Sequence, residues 1–221
     1  MDAKRLRLKH IAVVVILLLM LGTFLSFFIT PAVSDARTRK ELGLPDDAIV
    51  TDTARSPWVY VDEEGGVTLN TEYMIGMDTV VIPDAVNGVL VTGKAEGAAI
   101  SPASQVRTIV FPKRFSVSSP DGKTGIFWFG NWDRLETVVF EEGAYDLTGV
   151  AIYAMPALKE VYLPKSATGL YAWSFNDCPA DVTVYYAGTE EEWAALGNFA
   201  KNVSKKHTVV FETPVPDFRG K

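Results

Sequence analysis

Cysteine is nearly absent from this chain. Cys178 stands alone among 221 residues, which excludes an intramolecular disulfide framework and any cysteine-rich zinc site. Histidine is almost as scarce. His10 and His207 are the only two, which removes most histidine-based catalysis and histidine-cluster metal chemistry. Positive charge is short as well: the formal net charge is -6, and Lys4, Arg5, Arg7 and Lys9 against Asp2 put +3 into the first ten residues, so residues 11–221 sum to -9. An acidic surface of that kind excludes nucleic acid as an expected partner, because phosphate binding needs a basic one. What is present fits a folded domain plus a greasy segment: hydrophobic residues make up 48% and charged residues 22%, neither figure resembling disorder. The length allows one domain of about 150 to 200 residues beyond any targeting segment.

The longest apolar stretch, residues 11–29 (IAVVVILLLMLGTFLSFFI), has 19 residues and no charge. It matches the roughly 20 residues that cross a bilayer core of about 30 Å. The basic cluster before it (1–10) is expected to stay cytoplasmic, and membrane contact is expected through 11–30. Two readings stand for this segment. It is an uncleaved signal anchor, or a signal peptide cut after Ala32-Val33-Ser34, although the usual apolar core of such a peptide is shorter. Both export the remainder, as an extracellular domain of the cell membrane or as a secreted protein. Residues 31–56, with Pro31, Pro45 and the mixed-charge run ARTRKE, read as a linker.

A period runs through the rest of the chain. Thr79-Val-Val-Ile-Pro83, Thr108-Ile-Val-Phe-Pro112, Thr137-Val-Val-Phe-Glu141, Glu160-Val-Tyr-Leu-Pro164 and Thr183-Val-Tyr-Tyr-Ala187 are short β-prone segments whose second residues lie 29, 29, 23 and 23 apart. Downstream apolar positions recur too, at Leu147, Ile152, Met155 and Leu158 in one unit and at Leu170, Phe175 and Cys178 in the next. A unit of about 23 residues with one short strand cannot bury its own core. Units must stack, each strand extending a parallel ladder beside the last. The two longer spacings place insertions around Val86 to Thr92 and Phe115 to Thr124.

The strand-Pro phrase, the pair Ser174-Phe175, Cys178 and the ending TVYYAGTEEEW resemble the BspA-type leucine-rich repeats of bacterial surface proteins. The resemblance covers residues 57–211 and is closest in the third and fourth units and the ending. Ile152 and Ile100 stand where that family usually has Phe, and Met155 and Ala103 where it usually has Cys. It implies a mainly β fold, a short leucine-rich-repeat solenoid preceded by one transmembrane helix. The implied role is non-catalytic binding or adhesion at the cell surface. A scaffold element of the envelope without a soluble ligand is the alternative.

Both ends of such a stack need caps. Trp58-Val-Tyr-Val61 and Val67-Thr-Leu69 around Asp62-Glu-Glu-Gly-Gly66 predict an amino-terminal hairpin within a cap at 57–78, ahead of repeats at 79–187. In the carboxy-terminal cap, 188–211, Thr189 and Glu192 form a capping box that opens a helix from Glu190 to Leu196, with Trp193 over the last coil. A final strand from Thr208 to Phe211 is expected, then an irregular tail, 212–221.

Strand side chains alternate, so second and fourth residues are expected inward and first and third outward. The outward column is then Val81, Val110, Val139, Tyr162 and Tyr185, flanked by Thr79, Thr108, Thr137, Glu160 and Thr183. This face is the candidate for a protein or glycan ligand, although β-branched and aromatic residues also simply suit a ladder. In Phe127-Trp-Phe-Gly-Asn-Trp132 the repeat count turns Phe129 and Trp132 inward and leaves Trp128 as a surface candidate. Gly88-x4-Gly93-Lys94 lacks the hydroxyl of a phosphate-binding loop, since Ala95 follows, and Gly122-Lys123-Thr124 lacks its first glycine. No G-x-S-x-G occurs. His207 reads as a solvated loop residue, and Asp62 to Glu64, Glu141-Glu142 and Glu190 to Glu192 as turn or cap residues. Asn202-Val-Ser204 fits a glycosylation sequon of the kind chance supplies. No enzyme activity, cofactor or metal is expected.

Overall fold

The structure, a computed structural model, describes residues 34–93, 105–117, 127–171 and 174–219. Two compact units separate at Ala48, Met1–Ala48 and Ile49–Lys221. The expected membrane segment, 11–30, lies outside the described residues. Among those described, no helix is long and apolar enough to cross a membrane. In the first unit residues 34–41 are helical, with Arg37 Nε donating to Glu41 one turn on (2.7 Å).

The second unit is mainly β. Its start corrects the linker expectation: β1 (Val50–Thr51) belongs to a sheet rather than to a tether. The hairpin cap forms as β2 (Val59–Val61) and β3 (Val67–Leu69), antiparallel, because Asp62 Oδ1 accepts from the Glu64 and Gly66 amides at 2.9 and 2.8 Å and turns the chain. After β4 (Thr79–Val81) the first insertion makes a second hairpin, β5 (Ala85–Val86) and β6 (Val89–Leu90). Its two-residue turn, Asn87-Gly88, has φ of 52° and 79°, the left-handed pair that matches strand twist. β1 adds to β5 in parallel.

The repeat strands are β7 (Thr108–Phe111), β9 (Thr137–Phe140), β11 (Glu160–Leu163) and β12 (Thr183–Tyr186), with β8 (Phe127–Gly130) and β10 (Val150–Tyr153) between them. With β4 and the final β13 (Thr208–Val210) they form one parallel sheet of six strands in the order β13-β12-β11-β9-β7-β4. Register is constant: Val80, Ile109, Val138, Val161 and Val184 lie side by side, and each is fully buried. β8 and β10 form a second parallel ladder on another side of each coil, with Phe129 opposite Ile152, and a bridge from Tyr153 to Asn176 continues it. Left-handed residues repeat with it at Asn131, Ala154 and Asp177, 23 residues apart.

Fourth-position residues complete the core. Phe111 stacks on Phe140 at 4.8 Å and 11°, and Phe127 and Phe129 meet it edge-on at 6.0 and 5.4 Å. Phe129 and Trp132 are fully buried, as the repeat count requires. Phe115 and Val117, at the start of the second expected insertion, are buried as well; residues 118–126 lie outside the described residues.

At the far end the capping box forms, with Thr189 Oγ1 accepting from the Glu192 amide and Glu192 from the Thr189 amide, and opens α1 (Glu190–Ala195). Trp193 is buried against Tyr186, with ring centroids 5.3 Å apart. A second helix, α2 (Asn198–Lys206), comes next, anchored by buried Ala200 and Val203. The residues after β13 are irregular, as expected of 212–221, and are tied to the last coil: Glu212 and Thr213 donate their amides to the Gly188 and Tyr186 carbonyls at 2.9 and 3.3 Å.

Candidate functional site

The outward side of the six-stranded sheet differs from the expected open column. Val110 and Val139 are fully buried, although they stand outside the main core cluster, and Val81 is half-buried. A continuous apolar stripe on a parallel ladder is costly to leave wet, so its centre is covered and is no ligand surface. The face opens toward both ends, at β4 with Val81 and Thr79, and over β11 and β12. There Tyr162 and Tyr185 are half-buried and stack at 4.6 Å and 11°. Thr108, Thr137, Glu160 and Thr183 are half-buried along the first-position row, and Thr79 is exposed. Trp128 falls on β8, in the second ladder, so it does not join these residues; its side chain lies outside the described ones.

The tyrosine pair is held by strand register, since residues facing each other across a parallel ladder sit about 4.8 Å apart, the distance at which rings stack. Burial first, then the Glu160 carboxylate and Tyr185, push the Tyr162 phenol up to about 12. Tyr162 Oη donates to Glu160 Oε2 at 3.4 Å.

One residue before each strand, a column of charges alternates in sign: Asp78, Arg107, Glu136 and Lys159. Arg107 pairs with Asp78 at 3.3 Å and with Glu136, and Lys159 Nζ meets Glu136 Oε2 at 2.7 Å. Lys159, then Arg107, hold the Glu136 carboxyl below the usual carboxylate range. These groups are solvated, so the column contributes more to the order in which coils stack than to stability.

At the other end of the strands lies a buried ionic cluster. Glu141 occupies the place held by Pro83, Pro112 and Pro164 in the other coils. Its carboxylate and that of Asp84 grip the Arg219 guanidinium from two sides: Nη1 to Asp84 at 2.5 Å, Nη2 to Asp84 at 3.1 Å, Nε to Glu141 at 2.6 Å, and Nη2 to Glu141. Side-chain exposure is 9% for Arg219, 2% for Asp84 and 7% for Glu141. Desolvation alone would lower the guanidinium pKa; its hydrogen bonds and the two carboxylates together raise it instead. The chain from Thr213 to Arg219 thus runs as a strap from β12 back to the start of the stack. Glu141 is therefore a buried anchor rather than a turn residue.

His207 corrects its expectation too. It is half-buried, packs against Phe175 with ring centroids 5.1 Å apart, and has its Nδ1 enclosed without a hydrogen bond. Burial and Lys206 lower its pKa, so it is neutral at pH 7. Cys178 is partly exposed, and burial raises its thiol above the usual range. Among the described residues no group of acidic, histidine or cysteine side chains could hold a metal ion.

No protein-family model, curated protein or solved structure matches the chain.

Proposed function

We propose that the chain is a membrane-anchored extracellular binding module, a capped leucine-rich-repeat solenoid of the BspA type, that works without catalysis at a bacterial cell surface. The repeat phrases and the six strands in constant parallel register support the fold reading. Residues 11–29 support the anchor. The observation that carries the binding role is the Tyr162–Tyr185 stack, an aromatic platform beside Glu160 and Thr183 at one partly open end of a face whose centre is covered. Rigid aromatics supply contact area at little entropic cost and suit either a protein surface or a sugar ring. Stacked repeats present ligands on such faces, though fold alone does not specify one.

A scaffold role is the second reading, favoured by the burial of Val110 and Val139 at the centre of the same face. A pull-down separates the two. Full-length protein is compared with a Tyr162→Ser/Tyr185→Ser variant of equal melting temperature on envelope and host-matrix extracts. Partners held by the parent and lost by the variant support binding on this face; identical captures support the scaffold.

A further inference from the structure

A cleft of about 370 Å³ opens between the last coil and α2, away from the tyrosine platform. Specific contacts hold its described walls. Trp193 Nε1 donates to Ser204 on α2 at 3.0 Å, Trp193 meets Phe199 edge-on at 5.4 Å, and Gly169 lets Phe199 approach so closely that an added Cβ would lie 3.3 Å from its ring. On the coil side Ser174 Oγ donates to the Val150 carbonyl at 2.9 Å. Phe175 has φ of 70°, a conformation that bulky side chains avoid. Its equivalents Ile152 and Phe129 lie in regular strands, so among these three described coils only this one is distorted, and the distortion falls in the wall of the cleft.

The lining is chemically one-sided. Asn176, Asn198 and Asn202 bring amides that both donate and accept, Tyr171 and Phe199 bring aromatic rings, and Lys205 and Lys206 bring positive charge. Among the described residues no carboxylate lines the cleft itself, in a protein whose residues after the tenth sum to -9; Asp177 lines only the shallower pocket beside it, which shares Asn176, Lys206 and His207. The lysines also complement the carboxy-terminal end of α2. That role explains their place on the helix but not the missing acids opposite. A bare anion would not need three amides and two rings, whereas a sugar hydroxyl both donates and accepts and a pyranose presents an apolar face. The volume lies at the low end of small-molecule sites, which suits one or two rings.

We propose that this cleft binds the carboxylated sugar unit of an acidic saccharide, with the carboxylate toward Lys205 and Lys206 and the hydroxyls toward the asparagines. It is a site separate from the sheet face, and it stands or falls independently of ligand binding there.

Saturation-transfer NMR on the full chain in detergent micelles tests it, with tetrasaccharides carrying glucuronate, galacturonate or sialate, the neutral chitin tetrasaccharide, and inorganic phosphate as competitor. At least one acidic saccharide should bind. A Lys205→Ala/Lys206→Ala variant, altered only at exposed positions, should weaken it by about tenfold or more, and Asn202→Ala should also weaken it. Tyr162→Ser/Tyr185→Ser should leave it unchanged. Binding of the neutral sugar as tight as the acidic ones, displacement by equimolar phosphate, indifference to the lysine variant, or no binding by any acidic saccharide would each overturn the proposal.

Discussion

Truncating Arg219 is the most informative single perturbation of the fold. Arg219→Ala leaves Asp84 and Glu141, at 2% and 7% exposure, without the guanidinium that neutralises them. Removing one partner of a buried charge cluster costs about 3–5 kcal/mol, because the remaining charges stay desolvated. Two features reduce that figure here. The Ile49 amide still donates to Asp84 at 2.8 Å, and an irregular strap can lift to admit water to both carboxylates. The net loss is then about 2–3 kcal/mol, or about 5–10 °C in melting temperature for a domain of this size. Differential scanning fluorimetry on the full chain reads it. Arg219→Lys should fall between parent and Ala, since an ammonium keeps the charge but lacks the planar fork that bonds each carboxylate twice. Adding Asp84→Asn and Glu141→Gln to Arg219→Ala should recover part of the loss, because no buried charge is then left alone. A change below about 2 °C for Arg219→Ala, or no recovery in the triple variant, would refute the view that the strap is locked by this cluster.

Three further outcomes are expected. In an ultraviolet titration the Tyr162 phenol should ionise near 12 and that step should vanish in Tyr162→Phe, while Tyr186, which burial also raises, remains a late step in both. Its folded pKa is raised above the ordinary 10, so its contribution to stability is complete below pH 10 and is lost as pH rises from there toward 12; a curve with every tyrosine near 10 contradicts the stack. Gly130→Ala should lower the melting temperature by about 5 °C, the effect of about 1–3 kcal/mol of overpacking, because its Cβ would sit 2.5 Å from the Tyr153 carbonyl oxygen; an unchanged melt would mean that β8 and β10 are not paired at this register. Glu136→Lys places three positive side chains in succession along the charge column and should destabilise the protein at low salt, with the deficit shrinking as salt is raised; a salt-independent deficit would deny the column its electrostatic role.

The strand positions were legible because each repeat carries the same four-residue phrase, and their second residues align in the sheet as the period required. Caps were legible for a similar reason, since Asp62 and the Thr189–Glu192 pair are short-range turn chemistry. Alternation alone misplaced Val110 and Val139: a strand pattern states which face a residue takes, not whether a later segment covers that face. α2 was missed because Phe199, Ala200 and Val203 give only one turn of apolar spacing, too little to read without the coil that they pack against. Arg219 was invisible for a different reason. Its partners lie 78 and 135 residues away, and no local pattern couples such positions. Two signals were nonetheless present, Glu141 at a place where other coils carry proline, and the alternating Asp78, Arg107, Glu136, Lys159 ahead of successive strands.

The central claim, that the tyrosine end of the sheet face receives a ligand, is tested most directly by crosslinking in the cells that make the protein. A photo-reactive phenylalanine analogue is placed at position 185, and in a control at position 60, where Tyr60 is 57% exposed on the hairpin. The expected result is a discrete higher-mass adduct from position 185 that is absent from position 60 and lost when Tyr162→Ser is added. No adduct at 185, or the same adduct from both positions, would contradict it.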